Sequence, residues 1–268
     1  MDTLPFEFCD SVVSTIDNLW RLAELVPILS HRHFLTWNAV IEDHLSNRHE
    51  MEVSVGIHNG TRLEYLRKIK KKYLKINQIK WFGGSLSADD FELLKFVKQF
   101  GRCSVFVFNN YSGRPTSEEK ERFAEYLKDI PFTEITLYRP FEAVLRHQAQ
   151  STILAKLVLS GDGWSKEVQP VIEEILLTNP ITYAVICQSF VFRKDFVEKL
   201  FDVPYSTSKE RYYSIYIENR KEFRNFRVNL QLKKDLNSVF WRKDDGVKVS
   251  MHFFLFNNTC LVFSKRSD

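Results

Sequence analysis

Long apolar runs are missing from this chain: nowhere does it approach the roughly 18 consecutive apolar residues that a membrane-crossing helix needs. Secretion is not expected either, because Met1-Asp2-Thr3-Leu4-Pro5 places an acid and a proline where a basic start and an unbroken apolar segment would be required. The four cysteines, Cys9, Cys103, Cys187 and Cys260, lie far apart, with no C-x-x-C pair and no histidine at ligand spacing. That pattern writes neither a disulfide framework nor a zinc site, and it predicts reduced thiols in cytoplasm or nucleus. The sequons at Asn59, Asn110 and Asn257 are then expected to stay unmodified. A strong excess of charge is also lacking, since a formal +4 over 268 residues does not by itself announce a nucleic-acid partner. Neither G-x-S-x-G nor a P-loop occurs, and Gly83-Gly84 and Gly161-Asp162-Gly163 lack the spacing of a phosphate cradle. No metal, cofactor or catalytic dyad is expected.

What the chain does contain is repetition. Seven short runs alternate apolar with polar: Glu52–Ile57, Gln78–Phe82, Ser104–Phe108, Glu134–Tyr138, Lys156–Leu159, Tyr183–Ile186 and Tyr212–Ile217. They start roughly every 22 to 30 residues, the period of stacked repeats. Each ends in turn residues such as Asn59-Gly60, Gly83-Gly84, Asn109-Asn110, Arg139-Pro140, Gly161-Asp162-Gly163 or Gln188-Ser189. Each is expected to lead into a helical pattern, for example Ser87 to Phe91, Leu94 and Val97, Ser117 to Phe123 and Leu127, Ser165 to Val168, Ile172 and Leu176, and Lys194 to Phe196 and Leu200. Acids at Asp89, Asp90, Glu118, Glu119 and Glu167 favour those helix starts.

Strand, turn and helix repeated in this way predict an α/β chain whose successive strands pair in parallel. Strands buried on both faces would read as continuous Val, Ile and Leu, whereas these carry Ser54, Lys80, Thr136 and Lys156 at alternate positions. One sheet face is therefore expected to stay open, which favours an irregular β/α horseshoe over residues 50–222; a closed α/β domain is the alternative. Trp81, Phe106, Phe108 and Tyr138, alongside Lys80 and Arg139, are candidate partner-binding residues on the open face, or else the aromatics are core residues, since alternation alone does not say which parity faces out. From 223 to 268 the pattern becomes Phe226–Leu232, Val247–Phe256, an Asn257-Asn258 turn and Cys260–Phe263, an antiparallel unit. It is expected to cap the last repeat, with a second binding domain as the alternative.

Arg67–Lys75 is densely basic, yet Leu63, Leu66, Ile69 and Tyr73 recur at helical spacing, so the run predicts one amphipathic helix with a solvated basic face; a polyanion site is the alternative. Ahead of the repeats, residues 1–48 predict short helices. Thr3 and Glu7 form a capping-box pattern, Phe8, Val12, Val13 and Ile16 form one stripe, and Leu19, Leu22, Leu25 and Val26 a second before Pro27. Phe34, Trp37, Ile41 and Leu45 share a face of a third piece, with His31, His33, Glu42 and His44 around it.

Leu4-Pro5-x-Glu7-Phe8, then Val12-Val13, Ile16, Leu19, Leu22, Leu25-Val26, Ser30 and Trp37, resembles the F-box over residues 2–45, and the repeats after it look like an irregular leucine-rich-like tail of F-box proteins. The resemblance implies a non-catalytic, substrate-recruiting subunit of a Skp-cullin-F-box type ubiquitin ligase. Its helices would dock on a Skp-type adaptor, itself bound to cullin, and its tail would hold a protein substrate. It implies adaptor-binding roles for Leu4, Pro5, Phe8, Val12, Leu22 and Leu25. A free-standing interaction scaffold is the alternative; a nucleic-acid or other polyanion binder acting through residues 67–75 is a third.

Overall fold

The computed structural model describes residues 5–14, 16, 23–25, 35–56, 63–99, 103–109, 113–203 and 211–217, and the backbone of four later strands. Two helices come first: α1 (Phe6–Ser14) and α2 (Leu35–Asn47), with Ala23–Leu25 also helical. After them come β1 (His49–Val55), α3 (Leu63–Lys68), β2 (Leu74–Trp81), α4 (Ala88–Lys98), β3 (Val105–Phe108) and α5 (Ser117–Leu127). The series continues through β4 (Glu134–Leu137), α6 (Glu142–Gln148), β5 (Lys156–Leu159), α7 (Gln169–Thr178), β6 (Tyr183–Ile186), β7 (Val191–Phe192), α8 (Lys194–Asp202) and β8 (Arg211–Ile217). Last come β9 (Gln231–Lys234), β10 (Ser238–Arg242), β11 (Lys248–Phe254) and β12 (Cys260–Arg266).

Strands β1 to β6 and β8 lie side by side in chain order and pair in parallel; β7 also pairs in parallel with β8. On its other edge β8 pairs antiparallel with β12, and the sheet continues through β11 and β10 to β9. All seven runs read from the sequence are strands of the sheet. The basic run differs from its expectation: α3 stops at Lys68, a single 3-10 turn spans Lys71–Tyr73, and β2 already begins at Leu74. Leu74, Ile76, Ile79 and Trp81 are all buried on the sheet, so strand pairing takes the residues that would have extended the helix. Helix α6 is the helix expected after the Arg139-Pro140 turn, whereas strands β7 and β10 are not among the expected strands. Of the expected strand over 226–232, the paired part is Gln231–Lys234, while residues 226–230 and the Asn257-Asn258 turn lie outside the described residues.

Helix starts follow local chemistry. Ser87 and Asp90 cap α4 reciprocally, with Asp90 N–H donating to Ser87 Oγ at 3.1 Å and Ser87 N–H to Asp90 Oδ2 at 2.9 Å. Thr116 and Glu119 do the same for α5, so the cap is one residue earlier than Ser117, and the Thr116 N–H holds the Glu119 carboxyl below its ordinary pKa. Buried amides staple neighbouring repeats: Gln148 Nε2 donates to the Ile130 carbonyl at 3.0 Å, and Asn179 Nδ2 to that of Ala149 at 3.3 Å.

The helices cover one face of the sheet. Beneath them Val53, Val55, Ile79, Trp81, Phe106, Phe108, Ile135, Leu137, Leu157, Leu159, Ala184 and Ile186 form one continuous core with residues from α4 to α8. At its centre Trp81 packs on Phe123 (4.5 Å between ring centroids), Phe108 (5.0 Å) and Phe141 (5.5 Å), while its Nε1–H donates to the Gly84 carbonyl at 2.9 Å. Trp81, Phe106 and Phe108 are thus fully buried, which corrects their candidacy as partner-binding residues: their parity is the one the helices cover. Tyr138 stands outside, 45% exposed.

Gly161, at φ +78°, lets the β5 exit loop close against β4; a Cβ there would lie 2.5 Å from the Tyr138 carbonyl oxygen. At Gly163, φ +82°, the nearest atom to such a Cβ is Pro140 Cγ at 3.8 Å. Gly163→Ala should therefore lose only the left-handed backbone preference, about 1–2 kcal/mol, whereas Gly161→Ala adds a backbone collision and should lose clearly more. Urea unfolding of the two variants checks the order, and equal losses would contradict it.

Candidate functional site

Two surfaces of this fold present groups that neither its core nor its repeats use. The first is on α1. Cys9 and Val13, four residues apart, point into a small separate core with Val40 and Ile41 of α2. Phe8 and Val12, also four apart, form the next stripe around the helix and are 50% and 38% exposed; Phe6 is 43% exposed. Phe8 touches the edge of Trp37, at 6.4 Å between centroids and 84° between planes. Pro5 is exposed and opens the first turn, its carbonyl accepting the N–H groups of Phe8 (3.1 Å) and Cys9 (3.2 Å). Of the other residues assigned by resemblance, Leu25 is partly buried against the helical core. Leu4 and Leu22 lie outside the described residues.

A polar joint fastens these helices to the first repeat. Lys72 Nζ lies 3.2 Å from Asp10 Oδ1 on α1, 3.3 Å from Asp43 Oδ2 on α2, and 4.5 Å above the Tyr73 ring. Tyr73 Oη donates to Asp43. His44, expected among the polar residues flanking α2, is fully buried, with Nε2 3.0 Å from Asp10 Oδ1 and its ring edge-on to Tyr73. Arg48 donates to the Ile16 carbonyl. The Tyr73 hydroxyl, more than Lys72, holds the Asp43 carboxyl below its ordinary pKa, and donating to that same carboxylate raises the Tyr73 phenol. Lys72 is raised as well, by its hydrogen bonds with Tyr73 first and the two acids after. The joint thus takes Lys72 out of the basic run, leaving Arg67, Lys68 and Lys70 among its exposed cations.

The second surface is the sheet face opposite the helices, partly exposed along its length. Strand register sets its side chains in rows. One row reads Gln78, Val105, Glu134, Lys156, Tyr183, Tyr212, and the next Lys80, Val107, Thr136, Val158, Val185, Ser214. Beyond them, at the carboxyl ends of the strands, come Asn109, Tyr138, Ser160, Cys187 and Tyr216. Lys80 pairs with Glu52 across β1 and β2 at 2.6 Å, and Lys156 with Glu134 across β4 and β5 at 3.0 Å. Tyr183 and Tyr212 stack at 5.1 Å with 17° between their planes.

Where the outer row crosses β5 and β6, small residues leave a cavity of about 800 Å³, lined by Tyr138, Arg139, Ser160, Cys187, Ser214 and Tyr216 among others. Arg139 reaches over its rim to pair with Asp162. The Cys187 thiol is pushed up by burial, which disfavours the thiolate a nucleophile needs. The lining is made of tyrosine rings, hydroxyls and amides, with the paired charges of Arg139 and Asp162. Among the described residues no three His, Cys, Asp or Glu side chains gather as metal ligands, and no helix is long and apolar enough to cross a membrane.

No family model, curated protein or solved structure matches this chain. Sequence reasoning singled out Tyr138 and Arg139 of the cavity as recognition candidates. The missed signal lies across the repeats: Ile79, Phe106, Ile135, Leu157 and Ala184 form one uniformly apolar row, so the outward-facing residues belong to the other parity, with Tyr183, Tyr212 and Tyr216.

The joint responds to pH with a definite sign. Because the folded-state pKa of Asp43 lies below its unfolded value, its contribution is complete above the ordinary carboxylate range and disappears as pH falls through the folded value. Tyr73 and Lys72, both raised, contribute below their ordinary values and lose that contribution as pH rises through the folded ones. Asp43→Asn should lower the thermal midpoint at neutral pH, and the gap to the unsubstituted chain should close on acidification. Melting curves across that range test this, and a gap constant with pH would refute it.

Proposed function

We propose that the chain is an intracellular, non-catalytic substrate-recruiting subunit of a Skp-cullin-F-box type ubiquitin ligase, acting in cytoplasm or nucleus. The observation that carries this reading is the exposed stripe of Phe8 and Val12, which lies beside the packed stripe of Cys9 and Val13 on α1. Apolar side chains exposed together beside a complete core mark a surface that another chain covers. They fall in the segment whose Leu-Pro-x-Glu-Phe opening resembles the F-box. The β/α repeats serve as a leucine-rich-like horseshoe that presents its open face to a substrate, and β9 to β12 serve as its cap by covering the β8 edge. Such a subunit accelerates ubiquitin transfer by raising the effective concentration of an acceptor lysine near the carrier enzyme.

The alternative, an interaction scaffold without a ligase, uses the same open face and leaves the α1 stripe to some other chain. The purified chain should capture a Skp-type adaptor. Phe8→Asp should weaken capture at least tenfold, as expected for a buried aromatic anchor, while leaving thermal unfolding nearly unchanged because Phe8 is half exposed. Leu4→Ala with Pro5→Ala should do likewise. Capture unaffected by these changes would remove the interface, and no capture by the unsubstituted chain would favour the scaffold.

A further inference from the structure

We infer that the cavity between Tyr138 and Tyr216 holds an uncharged segment of a partner protein in the polyproline II conformation. This rests on the reading of the open sheet face as the surface that holds the substrate, and it specifies what part of a substrate would be held.

Three observations select that occupant. The first is width. Tyr138 comes directly after β4 and Tyr216 stands on β8, with β5 and β6 between them leading to Ser160 and Cys187. Three strand spacings of about 4.8 Å separate the two rings' strands, so the slot is about 14 Å between backbone axes and suits one extended chain between aromatic walls. Aromatic walls are the surfaces that proline-rich segments dock against, because the pyrrolidine rings pack on them at little cost in conformational entropy.

The second is charge. Among the described residues that line the slot, the charged ones are Arg139 and Asp162, and they are paired with each other. A charged guest would have to break this pair to be recognised. A neutral guest leaves it intact, and the pair discriminates against strongly charged competitors.

The third is hydrogen bonding. The strands beneath the slot are interior: β4 pairs with β3 and β5, β5 with β6, and β6 with β8. Their backbone groups are committed to the ladder, so no edge is available for a guest to join as a further strand. The floor instead offers side-chain hydroxyls and amides from Ser160, Gln188 and Ser189. A helix bonds its own carbonyls and could not use them along its length, whereas a polyproline II backbone keeps every carbonyl free to accept.

The full-length chain is titrated by calorimetry with an uncharged peptide of about ten prolines, and with Glu-rich, Lys-rich and neutral helix-forming peptides of equal length. Saturable binding of the proline peptide is expected. Its affinity should change less than about twofold between low and high salt, because no charge is recognised. Tyr138→Ala and Tyr216→Ala should each weaken it about tenfold, with circular dichroism confirming that the fold is kept. Absent saturation, preference for a charged or helical peptide, or undiminished binding by Tyr138→Ala would overturn the inference. Adaptor capture by α1 is measured on the same Tyr138→Ala protein and on the unsubstituted chain. Capture by both with no proline binding to either defeats the slot alone; proline binding to the unsubstituted chain with no capture defeats the ligase reading alone.

Discussion

Packing of Trp81 among Phe108, Phe123 and Phe141 fixes which side of the sheet is inside. Side chains alternate across a strand, so once the large rings of β2 and β3 lie beneath α5, each neighbour in parallel register must present the same parity to the helices. The opposite parity is left facing outward as ordered rows. Aromatic rings of this size bury more apolar area than any aliphatic residue could, and their edge-to-face contacts add specific geometry to that burial. The outer surface inherits its regularity from the core, and a slip of one residue in any strand would exchange the two faces there.

The same constraint explains what could be read from the sequence. Lys156–Leu159 and Tyr183–Ile186 have the expected bounds, each closed soon afterwards by turn residues, Gly161-Asp162-Gly163 and Gln188-Ser189. The Phe106 and Phe108 assignment failed because period two tells which residues share a face without telling which face is covered. The α3 boundary failed because Leu66, Ile69 and Tyr73 satisfy a helical period while Leu74, Ile76 and Ile79 begin a strand within one turn, and sheet pairing decides the contest. Val191-Phe192 is too short to show any period, and Ser238–Arg242 is one isolated apolar triplet among polar residues. Tyr216 could not be recognised as part of a cavity, since the gap it borders is made by small residues on two other strands.

The N-terminal helices obey a different logic. Their apolar core of Cys9, Val13, Val40 and Ile41 is small, and a polar joint rather than shared grease ties them to the repeats. Lys72 reaching both Asp10 and Asp43, with Tyr73 donating to the latter, sets the helices on the first repeat through directional contacts that tolerate little rotation. That geometry leaves the Phe8 and Val12 stripe turned outward. The two surfaces are thus built from separate sets of residues, so a binding event at one need not disturb the packing beneath the other.

Strand order at the end of the sheet has a consequence for biosynthesis. From β8 the chain runs to the far margin, lays down β9, and returns through β10 and β11 before β12 settles beside β8. The ribosome therefore delivers the sealing strand after every other described one, and until it arrives the β8 flank shows unpaired N–H and C=O groups to its surroundings. A nascent chain stalled at Lys248–Phe254 would carry a sticky margin that the finished molecule hides.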